Sequence, residues 1–197
     1  MKLNKIFFIA LLMLTNVIGG LCNGTESNFT CMVRIKASEY KNKSATISGS
    51  IDFPACRIKL DSNGEGSTPI PIKEKLLGTL NIQGMKTSFA IFLDDGYDIV
   101  FNADKENYYY LGKGSIVNNF LLKSQFLINQ FNDSVSAIEN TLLGLERFVL
   151  IADKYSSAHA RLYKTYYNSI SPDKELDYLL RANAQASILR TREDYLS

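Results

Sequence analysis

The apolar residues of this chain change period once. From Cys31 to Leu111 they alternate with polar ones, and from Ser115 onward they recur every three or four positions. Alternation puts apolar side chains on one face of a strand, whereas the longer step makes a stripe along a helix. In the first part Cys31, Val33, Ile35 and Ala37 share a face opposed by Arg34 and Lys36. Ile47, Gly49, Ile51 and Phe53 repeat the pattern, followed by Cys56, Ile58 and Leu60. Short pieces around Ile70 to Ile72 and Leu80 to Ile82 precede Phe89, Ile91 and Leu93, then Tyr97, Ile99 and Phe101, and finally Tyr108 to Leu111. These segments predict seven or eight closely spaced strands, an antiparallel β-sandwich or a partly open barrel. Asp94-Asp95-Gly96 between two alternating runs predicts a hairpin.

In the second part Val117, Phe120, Ser124, Leu127 and Phe131 form one stripe. Asn132-Asp133-Ser134 reads as a helix start, before Val135, Ile138, Leu142, Leu145, Val149, Ala152, Ser156, His159, Tyr163 and Tyr166. Gly144 and the Ser156-Ser157 pair are the weak points of that series. Ser171-Pro172 opens a third helix bearing Leu176, Leu179, Ala182, Ala186 and Leu189. The expected class is α+β, an N-terminal antiparallel sandwich or partly open barrel followed by a helical hairpin or three-helix unit. The expected organisation is a signal peptide over 1–22, an antiparallel β domain over 23–112 and a helical segment over 113–197.

The signal peptide is read from Lys2 and Lys5 before the uncharged, mostly apolar run Ile6 to Leu21, with Gly20 and Cys22 at the small positions for cleavage before Asn23. The run is shorter than the roughly 20 residues that span a bilayer. Without the two lysines the formal charge falls from +2 to zero, so the exported chain has no net attraction for nucleic acid or anionic lipid. Cys22 follows Gly19-Gly20-Leu21 and is a candidate for lipidation, although Leu21 is bulky for a lipoprotein signal. The expected membrane contact is limited to the signal peptide or a lipid on Cys22.

Composition removes most catalytic chemistry. One His excludes sites that need two imidazoles, and three cysteines without a C-x-x-C exclude a zinc knuckle and a thioredoxin-type pair. His159 lies on the helical stripe and reads as a packing residue. Cys31 and Cys56 are both in phase with the inward side of their strands, which makes them a candidate disulfide in an oxidising compartment; Cys22 competes as a partner if cleavage falls earlier. Asp61-Ser62-Asn63-Gly64-Glu65-Gly66 begins like an EF-hand loop, but Ile72 stands where the bidentate carboxylate belongs, so the segment reads as a turn. Gly112-Lys113-Gly114-Ser115 lacks the phosphate-loop spacing and reads as a sharp exit from the last strand into a helix capped by Ser115. Tyr108 to Tyr110 and Tyr166-Tyr167 read as the seam between sheet and helices. Sequons begin at Asn23, Asn28, Asn42 and Asn132, in a chain rich enough in Asn and Ser for chance matches. The expectation is no catalytic residue, no cofactor and no metal.

Phe89 to Phe101, with its Asp95-Gly96 turn, Gly112 to Asn119, the early strand Ile47-Ser48-Gly49-Ser50-Ile51 and the helical stretch Ala152 to Ser157 together resemble a known arrangement. It is the N-terminal region of bacterial TlpA-like thiol–disulfide oxidoreductases, which carry a domain of unknown function before a thioredoxin fold. The resemblance spans roughly residues 45 to 195, although the family's Asn-Pro-x-Ser is without its Pro in this chain. It implies a thioredoxin domain with a Trp-Cys-x-x-Cys centre beginning about where this sequence stops at Ser197. This chain has no Trp and no C-x-x-C, so none of the family's catalytic residues transfers to it.

The resulting expectation is an exported, non-catalytic module of the bacterial periplasm or cell envelope that binds a protein partner or ligand, or self-associates, without nucleic acid. The alternatives are a shortened or split thioredoxin-like oxidoreductase and a surface lipoprotein that binds peptide or glycan.

Overall fold

A computed structural model describes residues 29–49, 53–105, 107–138, 142–170, and 174, 176–178, 180 and 181. Eight strands precede the helices: β1 (Phe29–Lys36), β2 (Ser44–Ser48), β3 (Cys56–Lys59), β4 (Glu65–Ile72), β5 (Leu76–Ile82), β6 (Phe89–Leu93), β7 (Asp98–Asp104) and β8 (Asn107–Lys113). They form two four-stranded sheets in the orders β4-β1-β7-β8 and β3-β2-β5-β6. The fold class is α+β, a sandwich followed by helices.

The alternating residues do what their period requires. Val33, Ile35, Ile99 and Phe101 from the first sheet meet Ala45, Ile47, Leu80, Phe89 and Ile91 from the second in one buried core. On the outer face of the first sheet, Arg34 pairs with Asp98, and Lys36 with Glu65 at 3.4 Å.

Two features depart from the sequence reading. One pair, β1 with β7, is parallel within otherwise antiparallel sheets. The Asp94-Asp95-Gly96 turn is not a hairpin, because it carries the chain from β6 in one sheet to β7 in the other. Its local geometry is as expected, with Gly96 at φ 63° and Tyr97 N–H donating to the Asp94 carbonyl. What redirects the strand is capture by β1: Thr30 N–H donates to the Asp95 carboxylate, Gly96 N–H to the Thr30 carbonyl, and Met32 N–H to the Tyr97 carbonyl.

Helix α1 (Ser115–Ser136) follows β8 after a sharp turn, and α2 (Leu142–Ile170) packs on it. Gly112 and Gly114 have φ of 85° and 98°, and a Cβ on Gly114 would lie 2.2 Å from the Tyr97 ring. Gly114, not Ser115, is the N-cap, and no side chain caps the helix. The expected start at Asn132 to Ser134 lies inside α1. Ser134 and Ser136 donate back to the carbonyls of Gln130 and Asn132, so their hydroxyls extend the helix and do not begin another. Ser156 and Ser157 leave α2 unbroken. Leu176 and Leu180, helical and buried, join Phe92, Phe120, Leu121 and Tyr166 in a second cluster outside the sandwich. Ala182, Ala186 and Leu189 of the expected third helix lie outside the described residues.

Helix α1 does more than cover apolar surface. It lies where β6 ends one sheet and β8 ends the other, and its side-chain amides take up the backbone groups that a further strand would have paired. Asn118, fully buried, accepts from Phe92 N–H at 2.7 Å and donates to the Phe92 carbonyl at 3.0 Å. Asn119 does the same on the other sheet, accepting from Tyr110 N–H and donating to its carbonyl, both at 2.8 Å. Gln125 accepts from Ala90 N–H at 3.0 Å and donates to the Ser88 carbonyl at 2.6 Å. Between these contacts Leu122 enters the sandwich core. Strand edges left open invite pairing with other chains, and here both are occupied.

Candidate functional site

Cys31 is a buried free thiol, so the expected Cys31–Cys56 bridge is not formed. Both cysteines do face the core, and β3 packs chiefly against β4, the neighbour of β1 in the opposite sheet. Inward phase gives the face of a strand, not its neighbour across the sandwich. Cys56 is disulfide-bonded. Cys22, the remaining cysteine, lies outside the described residues. Burial pushes the Cys31 thiol up to about 12, with further raising by Asp94 and Asp98 against a lowering backbone bond at Asp94. A thiol held so far from ionisation is a poor nucleophile.

His159 packs as expected. Its Nε2 lies 2.9 Å from Ser124 Oγ on α1 and its ring stands edge-on to Phe120, so it ties the two helices together. Burial holds its imidazole below the ordinary 6.5. Ser124 is 3% exposed, whereas His159 is only partly buried. The tyrosines divide as a seam would: Tyr110 is buried and donates to the Ala90 carbonyl at 2.8 Å, Tyr166 is buried among the helices, and Tyr109 and Tyr167 face outward. Asp61 accepts from the backbone N–H of Asn63 and Glu65, which makes the EF-hand-like segment a turn and holds its carboxyl below the usual range. Among the described residues no group of His, Cys, Asp and Glu could hold a metal, and no helix is long and apolar enough to cross a membrane.

The site that the sequence did not reveal lies at one end of the sandwich. Three connections meet there around a cleft of about 410 Å³. The β1–β2 connection supplies Glu39 and Tyr40, the β5–β6 connection supplies Met85, Lys86 and Thr87, and the β7–β8 turn supplies Lys105, with Tyr108 at the start of β8. Local bonds set these connections: Tyr40 N–H donates to the Ala37 carbonyl at 2.8 Å and Met85 N–H to the Ile82 carbonyl at 2.9 Å. Tyr108 is fixed from behind, its ring centroid 4.7 Å from Phe89 and 6.3 Å from Phe126 on α1.

The charges in this cleft differ from those on the sheet face. Arg34 and Lys36 have carboxylate partners, whereas Lys86 and Lys105 are exposed and have none among the described residues. Lys105 also has φ 44°; Asn42 is the other non-glycine residue with positive φ among the described residues. Asparagine tolerates that region, whereas lysine is held there at a cost of about 1–2 kcal/mol. Of the lining residues only Tyr108 stood out in the sequence. The others come from segments far apart, and no local pattern marks their meeting.

Comparison with protein-family models, with curated proteins and with solved structures finds no match.

Proposed function

We propose that the chain is an exported, non-catalytic binding module of the bacterial cell envelope, and that its sandwich holds a small ligand at the end where its loops meet. The observation that carries this reading is the cleft of about 410 Å³ between three connections, lined by tyrosines and by two lysines without an ion-pair partner among the described residues. Its volume is in the range of about 300–1,000 Å³ occupied by small-molecule sites, and loops on a rigid sandwich are a common place for recognition. Export is supported by the basic start and apolar run before Cys22. The non-catalytic part is supported by the burial of the Cys31 thiol, which holds it far from ionisation, and by the burial of the Ser124 hydroxyl beside His159.

The test is amide NMR of the purified protein against a panel of sugars, amino acids and organic acids. Shifts concentrated at Tyr40, Gly84 to Thr87 and Lys105 are expected. Shifts confined to other surfaces would overturn the cleft reading. Reduction of insulin disulfides by the protein, lost in Cys56→Ala, would replace it with the thioredoxin-like alternative.

A further inference from the structure

Resting on that reading of the cleft, we infer that its ligand is a sugar acid, a pyranose ring bearing one carboxylate. Five observations combine. Lys86 and Lys105 line the cleft from different turns and form no ion pair with the described carboxylates. An anion placed between them would gain charge-assisted hydrogen bonds from both. Glu39 lines the same cleft, and its carboxylate oxygens are hydrogen-bond acceptors. It suits ligand hydroxyls and opposes a phosphate dianion, so the anion is of low charge and carries hydroxyl groups.

The apolar part of the cleft combines two aromatic rings with Met85 and Ala103. Tyr40 and Tyr108 are half-buried, and Tyr108 is locked against Phe89 and Phe126, which gives a fixed flat surface for the C–H face of a ring. Thr87 adds a hydroxyl that both donates and accepts. Finally, Lys105 sits in a left-handed turn position where glycine would be unstrained. The strain is at the cleft, and the side chain it retains is one of the two cations.

Titration calorimetry and amide NMR on the intact, disulfide-bonded protein test this with D-glucuronate, D-glucose, inorganic phosphate and a galacturonate trimer. Glucuronate is expected to bind at least about tenfold more tightly than glucose and than phosphate, and to shift Tyr40, Lys86 and Lys105 amides. A trimer that binds more tightly than the monomer assigns the ligand to an acidic polysaccharide, and equal binding assigns it to a free sugar acid. Lys105→Gly relieves the turn, so it is expected to melt no lower than the parent while binding glucuronate about tenfold more weakly. Lys86→Gln is expected to lose a similar factor. The inference is overturned if glucose matches glucuronate, if phosphate binds more tightly, if Lys105→Gly keeps full affinity, or if glucuronate leaves the cleft amides unmoved. If neutral or cationic compounds shift those same amides and glucuronate does not, the ligand class is wrong and the cleft stands. If every compound acts elsewhere, both fail.

Discussion

Along one side of the sandwich β6 and β8 end their sheets beneath α1, and Asn118, Asn119 and Gln125 bond their backbone groups as a strand would. Along the other side β3 and β4 end theirs, and β4 carries Pro69 and Pro71. These prolines stand opposite Met32 and Thr30, whose own N–H groups turn toward β7 and the turn before it. Positions 69 and 71 therefore face away from β1, and as prolines they offer no donor to an incoming chain. The first side is closed by supplying partners, whereas β4 on the second side lacks two of the donors that would need them. Supplying partners demands exact placement of a helix, so it is sensitive to single atoms. Removing donors is local and tolerant, and its failure appears between molecules, not within one.

The sharpest way to break the contrast is Asn118→Leu. It strips Phe92 of both its backbone partners in a fully buried place and should cost about 3–5 kcal/mol in urea unfolding. A loss below about 1 kcal/mol would mean that α1 closes this side by apolar contact alone. Gly114→Ala should cost roughly 2–3 kcal/mol, because it combines a left-handed φ with a collision against Tyr97 at the point where α1 is aimed. On the opposite side, Pro69→Thr with Pro71→Thr should change unfolding of the monomer by less than about 1 kcal/mol. It should instead produce concentration-dependent association, read by light scattering. The smallest effect is expected one layer out, where α2 backs the closing helix. His159 is held below its ordinary 6.5 by burial, so the unfolded chain takes up the proton first as pH falls. Its contribution is therefore present above about pH 6.5 and is lost as pH drops from there toward the folded value. His159→Gln should flatten the thermal-melting profile in that window while keeping a hydrogen bond to Ser124.

Most of this architecture is legible in the sequence because periodicity reports which side of an element is buried. Cys31, Val33 and Ile35, Phe89 and Ile91, and Phe120 and Phe131 all lie where their spacing puts them. Gly112 and Gly114 are legible for a similarly local reason. Periodicity does not report partners. That is why the Asp95-Gly96 turn read as a hairpin and why two inward cysteines read as bonded. It also fails where a helix has two adjacent apolar stripes. Leu145 and Val149 were expected inside, yet they are 45% and 50% exposed while neighbouring Phe148 is buried. Asn118 and Asn119 stand near the start of the helical pattern, but nothing local says that an amide faces a strand edge. The cleft was least legible of all, since its lining comes together only once three distant connections have met.

The amide pairing also sets a timetable. As the chain emerges from its N-terminus, Tyr110 need wait only nine residues for Asn119, so the β8 edge is sealed almost as soon as it is made. Phe92 must wait 26 residues for Asn118, and through that interval β6 presents an unpaired, apolar edge. A nascent chain stalled between those two points is the form of this protein most exposed to mispairing, and the form in which a holding chaperone has the most to protect.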